Sequence, residues 1–252
     1  MLKIRIMPTL LYKEVGLVKG VGFDSWRRVG SAMQAVKVYN LRQVDELVLL
    51  DIRATVDGRG PDLAAVDELA DECFMPLTVG GGVRTIDDVR SLLMVGADKI
   101  SMNTAAIENP GLIRDVADRF GSQCAVVSID ARRCPDGTYE VWTHAGTRST
   151  GLDPVAVARD AERMGAGEIL LTSIDHDGAM DGYDLELTRR VADAVRLPVI
   201  ASGGAGNYQH MADVLGVGHA SAVAAASMFH FTEQTPLEAK RYLGELGFAV
   251  RR

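Results

Sequence analysis

Short apolar runs without polar alternation recur along the chain at residues 4–11, 46–52, 76–79, 98–102, 124–130, 168–173, 197–201 and 220–226. A strand with one wet face alternates apolar and polar positions, so unbroken runs of this length predict parallel strands covered on both faces. Between them lie segments with helical spacing of apolar residues: Ala32–Gln43, Asp62–Glu72, Ile86–Val95, Pro110–Phe120, Pro154–Met164, Asp184–Ala194, Tyr208–Leu215 and Pro236–Leu246. Asn109, Asp153 and Thr235 each precede a proline, which predicts a capping residue followed by proline at the first helical position. Eight strand-then-helix units in 252 residues are the count of an α/β fold closed as a (β/α)8 TIM barrel.

The pattern also repeats itself. Glu46-Leu-Val-Leu-Leu-Asp51 falls on Glu168-Ile-Leu-Leu-Thr-Ser173, and Pro76-Leu-Thr-Val-Gly-Gly-Gly82 falls on Pro198-Val-Ile-Ala-Ser-Gly-Gly204, at one constant offset (168 − 46 = 122). A twofold repeat of four units each predicts one barrel domain over 1–252, built from half-barrels of approximately 1–122 and 123–252. Carried back to the start of each half, where the offset shortens by three residues (130 − 11 = 119), the alignment sets Leu11 over Asp130. Two longer inserts, Tyr12–Ser31 and Arg132–Gly151, correspond between the halves and follow strands one and five.

Composition narrows the class. Apolar residues make up 47% and aromatics 6% of the chain, which suits an aliphatic α/β core needing no staples. Three cysteines without metal-type spacing (Cys73, Cys124, Cys134) argue against a disulfide framework, and Cys73 and Cys124 read as core. A net charge of −7 with no basic and aromatic stripe gives no reason to expect nucleic acid as a partner. No apolar stretch of membrane-spanning length and no leader pattern occurs, so the expected location is the cytoplasm, away from the membrane. No His/Asp/Glu spacing predicts a metal, and no cofactor is called for.

Functional groups of a barrel sit at the C-terminal ends of its strands. There the first half carries Gly80-Gly81-Gly82 and Ser101-Met-Asn103-Thr104, and the second carries Ser202-Gly203-Gly204 and Ala225-Ala226-Ser227. Glycines let backbone N–H groups approach an anion, and short hydroxyls or amides add donors. Taken singly, each could be a tight turn. Two related by the repeat point to a ligand phosphorylated at opposite ends. The acidic candidates are Asp51, Asp130, Asp175 and Asp177; Asp130 closes a wholly apolar run, where partial burial would raise its pKa for proton transfer. His176 reads as a loop residue and His230 as a packed one. At the other strand ends, Arg5, Glu46, Lys99 and Glu168 begin apolar runs, so two cations and two anions predict a mutually neutralising ring at the barrel floor.

Thr78-Val-Gly-Gly-Gly-Val-Arg84, Gly96-Ala-Asp-Lys-Ile-Ser-Met-Asn-Thr-Ala-Ala106, Phe120-Gly-Ser-Gln123, Gly165-Ala-Gly-Glu-Ile-Leu-Leu-Thr-Ser173, Asp177-Gly178, Gly182-Tyr-Asp184 and Ile200-Ala-Ser-Gly-Gly-Ala205 resemble the cyclase subunit of imidazole glycerol phosphate synthase, the HisF-type barrel, along the whole chain. That family takes ammonia from a partner glutaminase, closes an imidazole ring and releases an aminoimidazole nucleotide. The resemblance implies one phosphate site at Gly82, Asn103 and Thr104 and another at Asp177, Gly178, Gly204, Ala226 and Ser227. It implies that Asp130 is one of two catalytic carboxylates, that Lys19 and Asp51 belong to the active site, and that Arg5, Glu46, Lys99 and Glu168 gate ammonia.

The chain departs from the family at the other catalytic carboxylate, where Leu11 stands in Pro8-Thr-Leu-Leu-Tyr12. Leucine cannot move a proton, and acid–base help of this kind contributes about 10²–10⁴-fold. The pattern is similar to diverged cyclase-like relatives that work with a HisH-type glutaminase subunit and a sugar amidotransferase in making amidino sugars for surface polysaccharides. The leading expectation is a subunit of that kind, pairing with a glutaminase as a heterodimer and binding a phosphorylated small molecule. The alternatives are a true cyclase in which Glu14 or water replaces the missing group, and a non-catalytic ammonia conduit.

Overall fold

The computed structural model describes residues 3–14 and 16–251. Met1, Leu2 and Arg252 at the ends of the duplicated span, and Val15 in the first insert, lie outside the described residues. Eight parallel strands form the barrel: β1 (Arg5–Lys13), β4 (Leu47–Asp51), β5 (Leu77–Gly80), β6 (Lys99–Met102), β7 (Ala125–Arg133), β10 (Glu168–Ser173), β11 (Val199–Ser202) and β12 (Ala222–Ala225). Each pairs with the next in that order, and β12 returns to β1, so the sheet has no free edge within the barrel. Closure explains the continuous apolar runs, because one face of each strand packs on helices and the other fills the interior.

The outer shell comprises α1 (Ala32–Leu41), α2 (Leu63–Ala70), α3 (Ile86–Met94), α5 (Gly111–Phe120), α6 (Pro154–Arg163), α7 (Leu185–Ala192), α8 (Tyr208–Gly216) and α10 (Pro236–Glu245). Caps repeat with the halves: the Asp62 carboxylate accepts from the N–H of Ala65 as Asp184 does from Leu187, and the Thr85 hydroxyl accepts from Asp88 as the Asn207 amide oxygen does from His210. Each such cap contributes about 1 kcal/mol. Asp153 and Thr235 cap α6 and α10 as expected. Asn109 does not cap α5; Pro110 holds that position. The reason is a short helix absent from the sequence pattern, α4 (Thr104–Glu108), which ends at Asn109 and takes its N–H onto Ala105 O. Its counterpart in the second half is α9 (Ser227–Phe231).

Both inserts are β-hairpins. In the first, β2 (Gly16–Val21) runs antiparallel to the end of β1 and pairs with β3 (Asp24–Gly30); in the second, β8 (Tyr139–Thr143) pairs with β7 and with β9 (Arg148–Ser149). Inside the barrel, Met7, Val48, Val126, Leu170, Ile200, Ala222 and Ala224 form a separate buried apolar cluster, each side chain worth up to about 3 kcal/mol. Cys73 and Cys124 are not core residues but half-buried at its margin, and no cysteine is paired among the described residues.

Candidate active site

The C-terminal ends of the strands enclose one cavity of about 1140 Å³, open solvent at its mouth included. Leu11, Lys19, Asp51, Gly82, Asn103, Thr104, Asp130, Asp177, Gly178, Gly204, Ala226 and Ser227 all line it; Asp175 does not, being exposed and accepting from the Arg133 N–H at 2.9 Å. Glu14 does not line it; it is exposed in the turn between β1 and β2.

The glycines are where close packing demands them. Gly81 and Gly203 have φ of +107° and +88°, and a Cβ would lie 2.2 Å from Asp51 O in the first and 2.5 Å from Ser173 O in the second. A Cβ on Gly204 would sit 1.9 Å from Gly182 O. These contacts fix two backbone cradles at mirrored places on the rim, beside the first turns of α4 and α9.

The cradles differ in what their side chains are free to do. In the first, the Asn103 amide donates to Ser128 O and Trp142 O, both at 3.2 Å, and the Thr104 hydroxyl accepts from the His144 N–H at 3.0 Å while facing Asn103 Oδ1 at 3.3 Å. Those side chains tie the second hairpin to β6, leaving backbone N–H groups to meet a ligand. In the second, Ser227 Oγ is buried and has no partner among the described residues.

Leu11 and Asp130 are structural equivalents. Leu11 pairs with Leu50 on the following strand and Val18 in its hairpin, and Asp130 pairs with Thr172 and Trp142 in the same arrangement. Among the described residues Asp130 has no cationic partner; burial pushes its carboxyl up to about 7, with nearby Asp177 adding to the rise and hydrogen bonds from Ser128 and Thr172 opposing it. Ser128 Oγ donates to it at 3.3 Å. A carboxyl at that value exchanges protons near neutrality. Asp51 is committed elsewhere: it accepts from the N–H groups of Arg53 and Ala54, both at 2.9 Å, and pairs with Arg59 at 3.0 Å, stapling its own loop.

Lys19, 2% exposed, reaches from β2 across the cavity to Asp177 at 2.5 Å. Burial raises the Asp177 pKa and Lys19 opposes the rise. Gly22 N–H donates to Asp177 O at 2.8 Å and Arg27 lies over the Phe231 ring at 3.6 Å, so the first hairpin is seated on the second-half cradle. Phe23 meets the other hairpin, since a Cβ on Gly146 would lie 2.8 Å from its ring. His230 is half-buried with its pKa lowered by burial, and His176 pairs with Asp181 at 2.9 Å.

At the opposite end of the barrel, Arg5 binds Glu46 at 2.8 Å and Glu168 at 3.0 Å, and Lys99 binds Glu46 at 2.9 Å and Glu168 at 3.2 Å. The four charges close a ring, alternating in sign, that plugs the floor. Above it lies the apolar interior cluster, with Thr78 reaching down to Glu46, and then the cavity. Among the described residues no cluster of His, Cys, Asp or Glu could hold a metal ion, and no helix is long and apolar enough to cross a membrane.

A closed eight-stranded barrel with paired glycine cradles is shared by several enzyme families, and comparison of the sequence with family models separates them. A model described as histidine biosynthesis protein matches residues 5–235. The chain belongs to the histidine biosynthesis protein family. Membership spans nearly all of both half-barrels, including the floor ring and both cradles, and makes the protein a barrel enzyme of the histidine-biosynthesis type. Sequence reading missed the Lys19–Asp177 pair and the internal use of Asn103 and Thr104. Neither leaves a local signal, because the partners are brought together only by closure of the barrel.

Proposed function

We propose that the protein is a HisF-type subunit that receives ammonia at its floor from a HisH-type glutaminase and binds a ligand phosphorylated at both ends in its cavity. Its pathway lies outside histidine biosynthesis, and amidino-group formation on surface-polysaccharide sugars is the leading candidate. The observation that carries this reading is the cavity's single unpaired carboxylate, Asp130, facing a leucine where the repeat places its mate. A ring closure needing two proton-transfer groups has one, while both cradles and the charged ring are kept.

Partner docking at the floor is supported by what surrounds the ring. Leu41 and Met94, the last residues of α1 and α3, and Phe74, in the loop between α2 and β5, are 86%, 80% and 84% exposed. Asn40 Oδ1 accepts from the Phe74 N–H at 3.1 Å, which ties the loop carrying that exposed ring to the end of α1.

An authentic cyclase is the second reading, favoured by the retained cradles, and a pure conduit the third. Purified protein given the histidine-pathway ribonucleotide and free ammonium tests all three. The proposal expects at least about 10²-fold less turnover than an active cyclase. Turnover at a cyclase's rate would establish the second reading; glutamine-derived ammonia delivered to a sugar amidotransferase with undiminished yield by Asp130→Asn would establish the third.

A further inference from the structure

Two residues lining the cavity, Thr9 and Ser227, 7% and 5% exposed, carry buried hydroxyls with no hydrogen-bond partner among the described residues. They are neighbours. Pro8 of β1 pairs with Ala225 of β12, so Thr9, next along β1, adjoins the turn Ala226-Ser227. Lys19 lines the same wall; its ammonium has three donors, and among the described residues its only acceptor is Asp177. A buried hydroxyl without a partner is unfavourable, so two side by side are donors held ready for an acceptor that is not protein.

Resting on the reading of the second cradle as a phosphate site, we infer that Thr9 is a further ligand-contacting residue: its hydroxyl, with Ser227 and the Lys19 ammonium, grips a phosphoryl group from the β1 side. This makes the two ends of the cavity unequal. The first cradle meets its phosphate through backbone N–H groups, because Asn103 and Thr104 spend their side chains on the protein. The second adds two side-chain hydroxyls and a cation, so the ligand docks by this end first, and a monophosphate occupies it alone at low concentration. Thr9 stands two residues before Leu11, so both project from β1 to the same side. The first strand thus keeps a polar contact one pleat deeper than the position where it lost its carboxylate.

Titration with inorganic phosphate, followed by calorimetry and phosphorus NMR, tests this on the intact protein. Thr9→Val keeps the shape and removes the hydroxyl; it should weaken phosphate binding about 10-fold, and Thr9→Ser should restore it to within about 2-fold. Thermal unfolding without phosphate supplies an independent readout. A hydroxyl with no partner contributes nothing to folding, so Thr9→Val should melt no lower than wild type. Phosphate binding that Thr9→Val leaves unchanged while Ser227→Ala weakens it overturns the role of Thr9 and spares the cradle. Marked destabilisation by Thr9→Val, with affinity not recovered in Thr9→Ser, overturns it also. Absence of phosphate binding by the wild type overturns the cradle reading itself.

Discussion

Glu46 and Glu168 occupy the same position in the two halves, yet Glu46 is held by three side chains and Glu168 by two. Both bind Arg5 and Lys99; Glu46 also accepts from Thr78 Oγ1 at 2.6 Å, whereas the repeat places Ile200 where a matching hydroxyl would stand beside Glu168. Glu46 is the anchored anion of the ring, and Glu168 the one with fewer ties. Thr78→Val should release Glu46 and destabilise the protein by about 1.5–3 kcal/mol, the worth of a hydrogen bond to a charged group, measured by urea unfolding. An equivalent change at Ile200 should not. A Thr78→Val protein as stable as wild type would mean that Glu46 needs no third partner.

Lys99→Glu would set three carboxylates together with Arg5 as the one remaining cation of the ring. In a reconstituted complex with a glutaminase, this variant should still support glutamine hydrolysis while transfer of its nitrogen to the acceptor falls. Ammonia release into solution, followed alongside acceptor modification, checks it. Coupling equal to wild type removes the gate from consideration and leaves a purely structural plug.

Burial raises the Asp130 carboxyl to about 7 in the folded chain, against about 3.9 once unfolded. Between those values the folded state binds the proton more tightly, so the contribution is fully present below about pH 4 and is lost as pH rises through about 7. Asp130→Asn deletes that titration. Between pH 4 and pH 8 the wild type should lose up to about 4 kcal/mol relative to the variant, read from paired denaturation curves. Parallel curves would mean that the carboxyl ionises as freely as in solution.

Gly204→Ala tests the second cradle. Its φ of +105° is unfavourable to any side chain, and the new methyl would meet Gly182 O. Destabilisation above about 3 kcal/mol with loss of phosphate binding is expected, since the carbonyl it strikes belongs to backbone and cannot swing aside. Gly137→Ala, whose Cβ would meet nothing within 4 Å, is the control: only its φ of +84° is penalised.

Leu11→Asp returns a carboxylate to the position equivalent to Asp130. Some turnover of the histidine-pathway ribonucleotide with ammonium should appear, because the new group enters a cavity that still holds Asp130, Lys19 and both cradles. A silent variant would place the divergence in the shape of the cavity as well as in its chemistry.

Much of this architecture was legible in the sequence, for specific reasons. Barrel strands announce themselves because burial on both faces removes polar alternation, and the floor ring does so because Arg5, Glu46, Lys99 and Glu168 begin apolar runs where charges largely withdrawn from water must neutralise one another. The two short helices α4 and α9 escaped because five residues are too few to show a period. Asn109 misled for the same reason: it closes the short helix α4, and Pro110 takes the N-cap position of α5. Val18, Lys19 and the rest of the first hairpin gave no clear strand pattern, since a ribbon folded over a cavity has neither an apolar face nor a wet one along its whole length. Thr9 could have been found by stepping in twos from Arg5 through Met7 to Leu11, the interior side of one strand.

The apolar layer of Met7, Val48, Val126, Leu170 and Ile200 separates floor from cavity, and its consequence concerns protonation. An ammonium ion entering it would surrender its hydration to hydrocarbon, a penalty of at least several kcal/mol, while ammonia loses far less. In the proposed transfer, nitrogen crossing this barrel would therefore leave its proton below and arrive as a free base, already nucleophilic, beside the Asp130 carboxyl.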